Sequence, residues 1–173
     1  MEKKLDRIFL IGFMGVGKTT VGKSLSEKLN YSFIDIDDVI VDKFNIHNDN
    51  ILGFFEDRKK YLDEETIILE NLIKLENVVV ATGGGIVLKD KNIQLMMENG
   101  IVIYLKMSVE TQIERIESLE EKSLKKRFLP TIKDSGKEFM EGRNILYENN
   151  DFTVETDNKS VEEICSSIIN EVF

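Results

Sequence analysis

One cysteine, Cys165, stands in a chain of 173 residues, which excludes an internal disulfide and a cysteine-rich zinc site and leaves the thiol to serve as a small buried hydrophobe. Positive charge is short as well: 23 lysines and arginines face 32 acidic residues, for a formal net charge of −9. A duplex-binding protein needs a basic face to displace counterions, so no nucleic-acid partner is expected. No apolar run is long enough to span a membrane, and none follows the opening Met-Glu-Lys-Lys-Leu-Asp-Arg. Neither a signal peptide nor a membrane partner is therefore expected, and the expected location is cytoplasmic. The lone histidine, His47, sits in the polar stretch Asn45-Ile46-His47-Asn48-Asp49 and reads as a solvated loop residue. Repeats and low-complexity tracts are missing too.

What is present is an ordinary folding composition, 42% hydrophobic and 32% charged, too apolar for disorder. The length suits a single domain over residues 1–173 with one contiguous core, expected to act as a monomer. Short apolar segments at Arg7 to Ile11, Ser32 to Ile36, Val78 to Ala81, Ile101 to Leu105 and Phe152 to Glu155 read as strands. Between them the apolar spacing predicts helices over Thr19 to Leu29, from near Asp37, over about Ile51 to Leu75 and over Asp90 to Glu98. A last helix starts at the capping box Ser160-Val161-Glu162-Glu163. Strands alternating with helices predict an α/β fold, a five-stranded parallel sheet covered on both faces. Glu114 to Tyr147 is polar and charged, with no strand of its own.

Gly12-Phe13-Met14-Gly15-Val16-Gly17-Lys18-Thr19 matches the phosphate-loop spacing G-x-x-x-x-G-K-[ST] between a strand and a helix. Gly12, Gly15 and Gly17, with Val16 between them, let backbone N–H groups curl around a phosphate, and the helix that follows adds its positive end. Such an anion site works in an acidic protein because charge is screened over about 8 Å at physiological salt, which leaves local groups in command. Lys18 is expected on the β and γ phosphates of ATP and the Thr19 hydroxyl on Mg²⁺. Thr20 contacts phosphate or simply starts the helix.

Asp35 and Asp37 flank Ile36 at the end of the second strand, and strand alternation would send both carboxylates to one face. The plainer alternative is that Asp37 or Asp38 caps the next helix. Thr82-Gly83-Gly84-Gly85 ends the third strand at the same edge; its glycines offer bare amides to a small polyol, or make a tight turn. Ligands of doubly wound sheets lie beyond the carboxyl ends of the strands.

With Gly-Phe-Met-Gly-Val-Gly-Lys-Thr-Thr, Phe33-Ile34-Asp35-Ile36-Asp37, Ala81-Thr82-Gly83-Gly84-Gly85 and Arg143-Asn144-Ile145-Leu146-Tyr147, the chain resembles shikimate kinases over nearly its whole length. Gluconate and adenylate kinases would share the first motif and lack this set. The resemblance implies the P-loop kinase fold with a mobile lid over roughly residues 114–132, and phosphorylation of shikimate by ATP and Mg²⁺. It implies that Asp35 holds the Mg²⁺ shell through water, that Asp37 orients the acceptor hydroxyl and takes its proton, that Gly83, Gly84 and Gly85 bind the ring hydroxyls, and that Arg143 pairs with the carboxylate. An arginine fork suits a carboxylate, and an aspartate within reach of a hydroxyl can act as base; a surface helix charge is the alternative for Arg143. In the lid, the cationic run Lys122-Ser123-Leu124-Lys125-Lys126-Arg127 makes Arg127 the candidate to neutralise the transferring phosphoryl group, with Lys126 its rival and solvated surface the bland alternative. Lys159 lies on the expected adenine side.

The pattern departs at Leu62, where the family carries a substrate-binding arginine. Loss of such a bond costs about 2–5 kcal/mol. Arg58, one helical turn earlier, is the candidate substitute, against a surface ion pair with Glu65 or another acid. Two other functions stay open: a kinase for another small hydroxy acid or polyol, and a catalytically weak nucleotide-binding regulator.

Overall fold

Val-Val-Val-Ala and Ile-Phe-Leu-Ile have no polar position to offer solvent, and both segments are buried along their full length, the pattern of strands covered on two sides. A computed structural model describes residues 5–47, 51–55, 57–118 and 141–173 of the chain. Its strands are β1 (Arg7–Ile11), β2 (Ser32–Asp35), β3 (Val78–Ala81), β4 (Ile101–Lys106) and β5 (Phe152–Glu155), in one sheet of order β2-β3-β1-β4-β5. Every pairing is parallel. The helices are α1 (Lys18–Leu29), α2 (Ile36–Phe44), α3 (Ile51–Phe54), α4 (Arg58–Leu72), α5 (Asp90–Asn99), α6 (Val109–Ser118) and α7 (Val161–Val172). α1 packs with α7 and against β2 and β3, while α4 packs with α2 and α5. One core cluster runs through all five strands' neighbourhood, from Ile8 and Phe9 to Ile164 and Ile168. Among the described residues no helix is long and apolar enough to cross a membrane.

The sheet register positions the chemistry. Leu10 of β1 and Asp35 of β2 both pair with Ala81 of β3. The residues that follow, Gly12, Asp35 itself and Thr82, therefore emerge side by side at the carboxyl edge. Thr82 strengthens this edge by donating both its N–H (3.2 Å) and its hydroxyl (2.9 Å) to the Leu10 carbonyl. Here β1 leaves toward β2 while β3 crosses over to β4, the chain reversal at which open sheets hold ligands.

Three boundaries differ from expectation. The continuous helix expected over Ile51 to Leu75 is two helices, because Asp57 takes an extended conformation and its carboxylate accepts the Lys59 N–H at 2.8 Å, capping a new start. The break is filled by an aromatic cluster of Phe44, Phe54, Phe55 and Tyr61, with ring centroids 5.2 to 5.7 Å apart. β2 stops at Asp35, not Ile36, since Asp35 caps α2. The polar stretch from Glu114 starts inside α6, and residues 141–145 are helical. The capping box at Ser160 and Glu163 forms as expected, and Cys165 is fully buried.

Arg7 ties the two ends of this layer together. It is 3% exposed, and its guanidinium donates to the Leu75 carbonyl beyond α4 (2.5 Å) and to the Asn99 carbonyl at the end of α5 (2.9 Å). Removing the donor leaves the Leu75 and Asn99 carbonyls without the guanidinium that joins them. Arg7→Met is expected to lower stability by about 2–4 kcal/mol in urea denaturation.

Candidate active site

The bend between β1 and α1 is built on close backbone approaches. Gly12 has φ 146°, and a Cβ there would lie 2.7 Å from the Leu105 carbonyl of β4. Gly17 caps α1 at φ 97° without a side-chain partner for the first-turn amides, which leaves those N–H groups to an anion. Val16 is buried and anchors the loop, and Gly15 lies over Ile116 of α6. The Lys18 ammonium folds across the bend and donates to the carbonyls of Gly12 (2.7 Å) and Phe13 (3.0 Å). Thr19 and Thr20 are exposed at the start of α1. Thr19 donates its hydroxyl to Asp35 Oδ2 at 2.7 Å. Two hard oxygen donors thus meet beside the phosphate loop, the ligand type that Mg²⁺ takes. Burial pushes the Asp35 carboxyl up, with Asp37 and Asp38 adding repulsion, while the Thr19 and Asp37 N–H bonds pull it back.

Asp37 reaches this edge by a different route from strand alternation. Asp35 ends β2 and caps α2, accepting the Asp37 N–H at 3.0 Å, so Asp37 sits in the first helical turn. The capping residue is Asp35, not Asp37 or Asp38. Asp37 Oδ1 accepts the Tyr61 hydroxyl at 2.8 Å. Tyr61 also lies 3.3 Å from Glu65 Oε1, and Glu65 is fully buried. Burial above all, then the nearby Asp37 charge, pushes the Glu65 carboxyl up to about 8, against the pull of the Tyr61 hydroxyl, Lys18 and Lys89.

The triple glycine is a close-approach site on two sides. A side chain at Gly83 would strike the Glu65 carboxylate and lie 2.9 Å from the Tyr61 hydroxyl oxygen, and one at Gly85 would meet Leu62 at 3.1 Å. The Gly84 carbonyl accepts from Arg143 Nη2 and from the Tyr147 hydroxyl, both at 2.6 Å. Arg143 is 8% exposed and its guanidinium lies 5.4 Å from the centre of the Phe13 ring, so it is no surface charge. Tyr147 stacks on Tyr104 at 5.2 Å. Burial pushes its hydroxyl up, against Arg143 and Arg58. Arg58 itself is exposed at the start of α4, and Glu65 turns inward, so the surface pair between them is not made. Leu62 is half-buried against Gly85.

On the far side of the phosphate loop, a cavity of about 370 Å³ is lined by Met107, Thr111, Arg115, Thr156, Asn158 and Lys159. Arg115 of α6 brings its guanidinium within 3.6 Å of where a Gly17 side chain would start, and Gln112 of the same helix donates to the Met14 carbonyl. Lys159 lines this cavity together with Arg115. Arg127, its rival Lys126 and residues 119–132 of the expected lid lie outside the described residues; residues 114–118 form the end of α6.

Three residues at this edge were given no role in the site from the sequence: Tyr61, Glu65 and Arg115. A signal for Glu65 did exist. It occupies the same helical stripe as Tyr61, Leu69 and Leu72, all buried, so an acid there had to face the interior.

A family model described as SKI: Shikimate kinase matches residues 14–173. The shikimate kinase of Caldicellulosiruptor bescii is 34% identical over 171 residues, covering 96% of this chain and 95% of its own. The structure of shikimate kinase from Acinetobacter baumannii in complex with shikimate superposes with a TM-score of 0.80 at 29% identity, over 98% of this chain and 94% of that one. Shikimate kinase from Aquifex aeolicus superposes at 0.79, with 28% identity over 96% and 95% of the two chains. A phosphate loop, a paired-aspartate edge and a glycine turn gripped by an arginine occur here on one parallel sheet, the family model covers all but the first 13 residues, and the chain belongs to the shikimate kinase family.

Proposed function

We propose that this protein transfers the γ-phosphoryl group of ATP to a hydroxyl of shikimate, giving ADP and 3-phosphoshikimate. The observation that carries this reading is the single edge at which the phosphate loop, the Thr19–Asp35 pair, Asp37 and the Gly84–Arg143 contact meet, in a chain whose relative from Acinetobacter baumannii is a complex with shikimate. The loop amides from Gly12 to Thr20 bind the phosphates, and Lys18 leaves its two carbonyl partners for the β and γ oxygens. Thr19 and Asp35 would hold Mg²⁺, which when bound draws charge off the phosphate oxygens. Asp37 orients the acceptor hydroxyl and accepts its proton. Phosphoryl transfer through a loose transition state needs positioning and charge neutralisation more than covalent chemistry, and these groups supply both.

Arg143 holds the acceptor carboxylate, and the Gly83–Gly85 turn lies under the ring hydroxyls. Arg58, on the rim, is the second cation available to the acceptor, in place of the absent arginine at Leu62. Arg127 neutralises the transferring group from the lid. The reading takes the protein to act as a monomer in the cytoplasm. The apolar Leu62 beside Gly85 favours one other reading, a kinase for a different small hydroxy acid. An ADP-release assay over shikimate, quinate and gluconate separates the two; a higher kcat/KM for either alternative acceptor overturns the shikimate assignment.

Two variants test the roles. Asp37→Asn is expected to lower kcat by about 100-fold or more while leaving calorimetric ATP affinity within about twofold, the loss typical of a general base. Arg143→Ala is expected to raise the KM for shikimate by tens-fold or more, since about 2–5 kcal/mol rests on a buried charged contact, with the KM for ATP little changed.

A further inference from the structure

The Tyr61 hydroxyl stands between two carboxylates, 2.8 Å from Asp37 Oδ1 and 3.3 Å from Glu65 Oε1. A phenol carries one proton, so it cannot donate to both acids at once. If both are ionised, one contact is a lone pair facing an anion in a buried setting, which is costly. With one extra proton shared among them the three groups satisfy one another, and burial, complete at Glu65 and partial at Asp37, puts that proton on Glu65: Glu65 donates to the Tyr61 oxygen, and Tyr61 donates to Asp37. Glu65 Oε2 has no hydrogen-bond partner among the described residues, a lack that costs a buried full charge far more than it costs a neutral acid.

The surroundings fix this pair of donors mechanically. Glu65 and Tyr61 lie one turn apart on α4, and both press on Gly83, where no side chain would fit between them. Tyr61 is further held edge-on by Phe55, at 5.7 Å between ring centroids. Asp37, by contrast, sits in the first turn of α2, half-buried. A carboxylate in that place has two side-chain torsions to settle before it can meet an acceptor hydroxyl, and misplacement by an ångström is enough to slow a transfer severely.

We propose that Tyr61 is a positioning residue for the phosphoryl transfer: its hydroxyl, anchored on buried Glu65, tethers the Asp37 carboxylate in the orientation that receives the acceptor hydroxyl. This rests on the reading of Asp37 as the group that orients the acceptor. No proton passes through Tyr61; the acceptor's proton goes to Asp37, and Tyr61 fixes where that carboxylate stands.

The tether has a pH limit. The charged and titratable groups facing Glu65 are Asp37 from α2, Tyr61 from its own helix, Lys18 from the phosphate loop, Lys89 from the segment before α5, and Tyr147 beyond residues 141–145. Burial and Asp37 outweigh the cations and the phenol, so Glu65 keeps its proton up to about 8. Above that pH the Glu65 anion competes with Asp37 for the one phenolic proton.

The test is kcat and KM of the wild type, Tyr61→Phe, Glu65→Gln and Asp37→Asn from about pH 6 to pH 9, with shikimate and MgATP. Tyr61→Phe is expected to lower kcat about tenfold at neutral pH with both KM values within about twofold. The wild-type kcat is expected to decline above about pH 8, and this decline to vanish in both Tyr61→Phe and Glu65→Gln. A purely structural tyrosine would not produce that shared loss. The melting temperature gives a reading independent of turnover. Between the ordinary carboxyl range and about 8 the native state keeps a proton that the unfolded chain has released, so wild-type stability falls as pH rises through that window and levels off above it. The melting-temperature advantage of Glu65→Gln over wild type should therefore grow from about pH 5 to pH 8.

A Tyr61→Phe kcat within twofold of wild type overturns the inference, as does an alkaline decline that persists in Glu65→Gln, even if Tyr61→Phe fails to fold. A melting-temperature difference that stays flat with pH removes the protonated anchor and overturns it as well. Should Asp37→Asn keep its kcat within tenfold, the premise about Asp37 fails; an inactive Asp37→Asn beside an unaffected Tyr61→Phe sinks the tether alone.

Discussion

Backbone amides at the β1–α1 bend stay open to an anion only if nothing with a Cβ stands at Gly12 and Gly17. The first is pressed against the Leu105 carbonyl and the second starts α1 in a left-handed conformation. That steric requirement organises the rest of the molecule. β4 must run beside β1 for its Leu105 carbonyl to close the loop from behind, and α6 must lie over Gly15 for Ile116 and Gln112 to hold the front. A site made of main-chain dipoles draws its field from geometry, which explains how a chain with net charge −9 can serve an anionic nucleotide.

The acceptor side follows a different logic, in which acids are made useful by being crowded. Asp35, Asp37 and Glu65 lie around one edge: Asp35 accepts from Thr19 and the Asp37 N–H, Asp37 accepts from Tyr61, and burial pushes the Glu65 carboxyl up to about 8. Burial separates their behaviour even though their chemistry is the same. The opposing positive charge comes from two deliberate insertions, Lys18 from the phosphate loop and Arg143 against Gly84. The triple glycine is the seam between the two sets. Gly83 makes room for Glu65, Gly84 presents its carbonyl to Arg143 and Tyr147, and Gly85 makes room for Leu62.

Leu62 and Tyr61 are neighbours on α4 and face the same turn. Leu62 lies against Gly85, while the Tyr61 hydroxyl stands 3.3 Å from the buried Glu65 carboxyl and 2.8 Å from Asp37. Two consecutive residues of one helix thus bring an apolar contact and a phenolic hydroxyl to the same glycine turn.

The alternation of short apolar runs with helical periods was enough to specify a five-stranded α/β sheet, because a parallel strand covered on both faces leaves an unbroken apolar trace. The phosphate loop was equally legible, since its function depends on residue types at a fixed local spacing, and so were the Asp35-Asp37 pair and the Gly83–Gly85 turn as features of one edge. What sequence could not decide was every contact made between distant elements. The long helix broke at Asp57 because a side-chain cap and an aromatic cluster outweighed continuous helical spacing. Asp37 reached the site through a helical turn that alternation does not describe, Arg143 was drawn into the interior by a carbonyl 59 residues away, and burial pushed the Glu65 carboxyl up to about 8. Local spacing encodes the elements and the loop; the protonation and pairing of the acids depend on what tertiary packing brings against them, and that is settled only when the sheet edge closes.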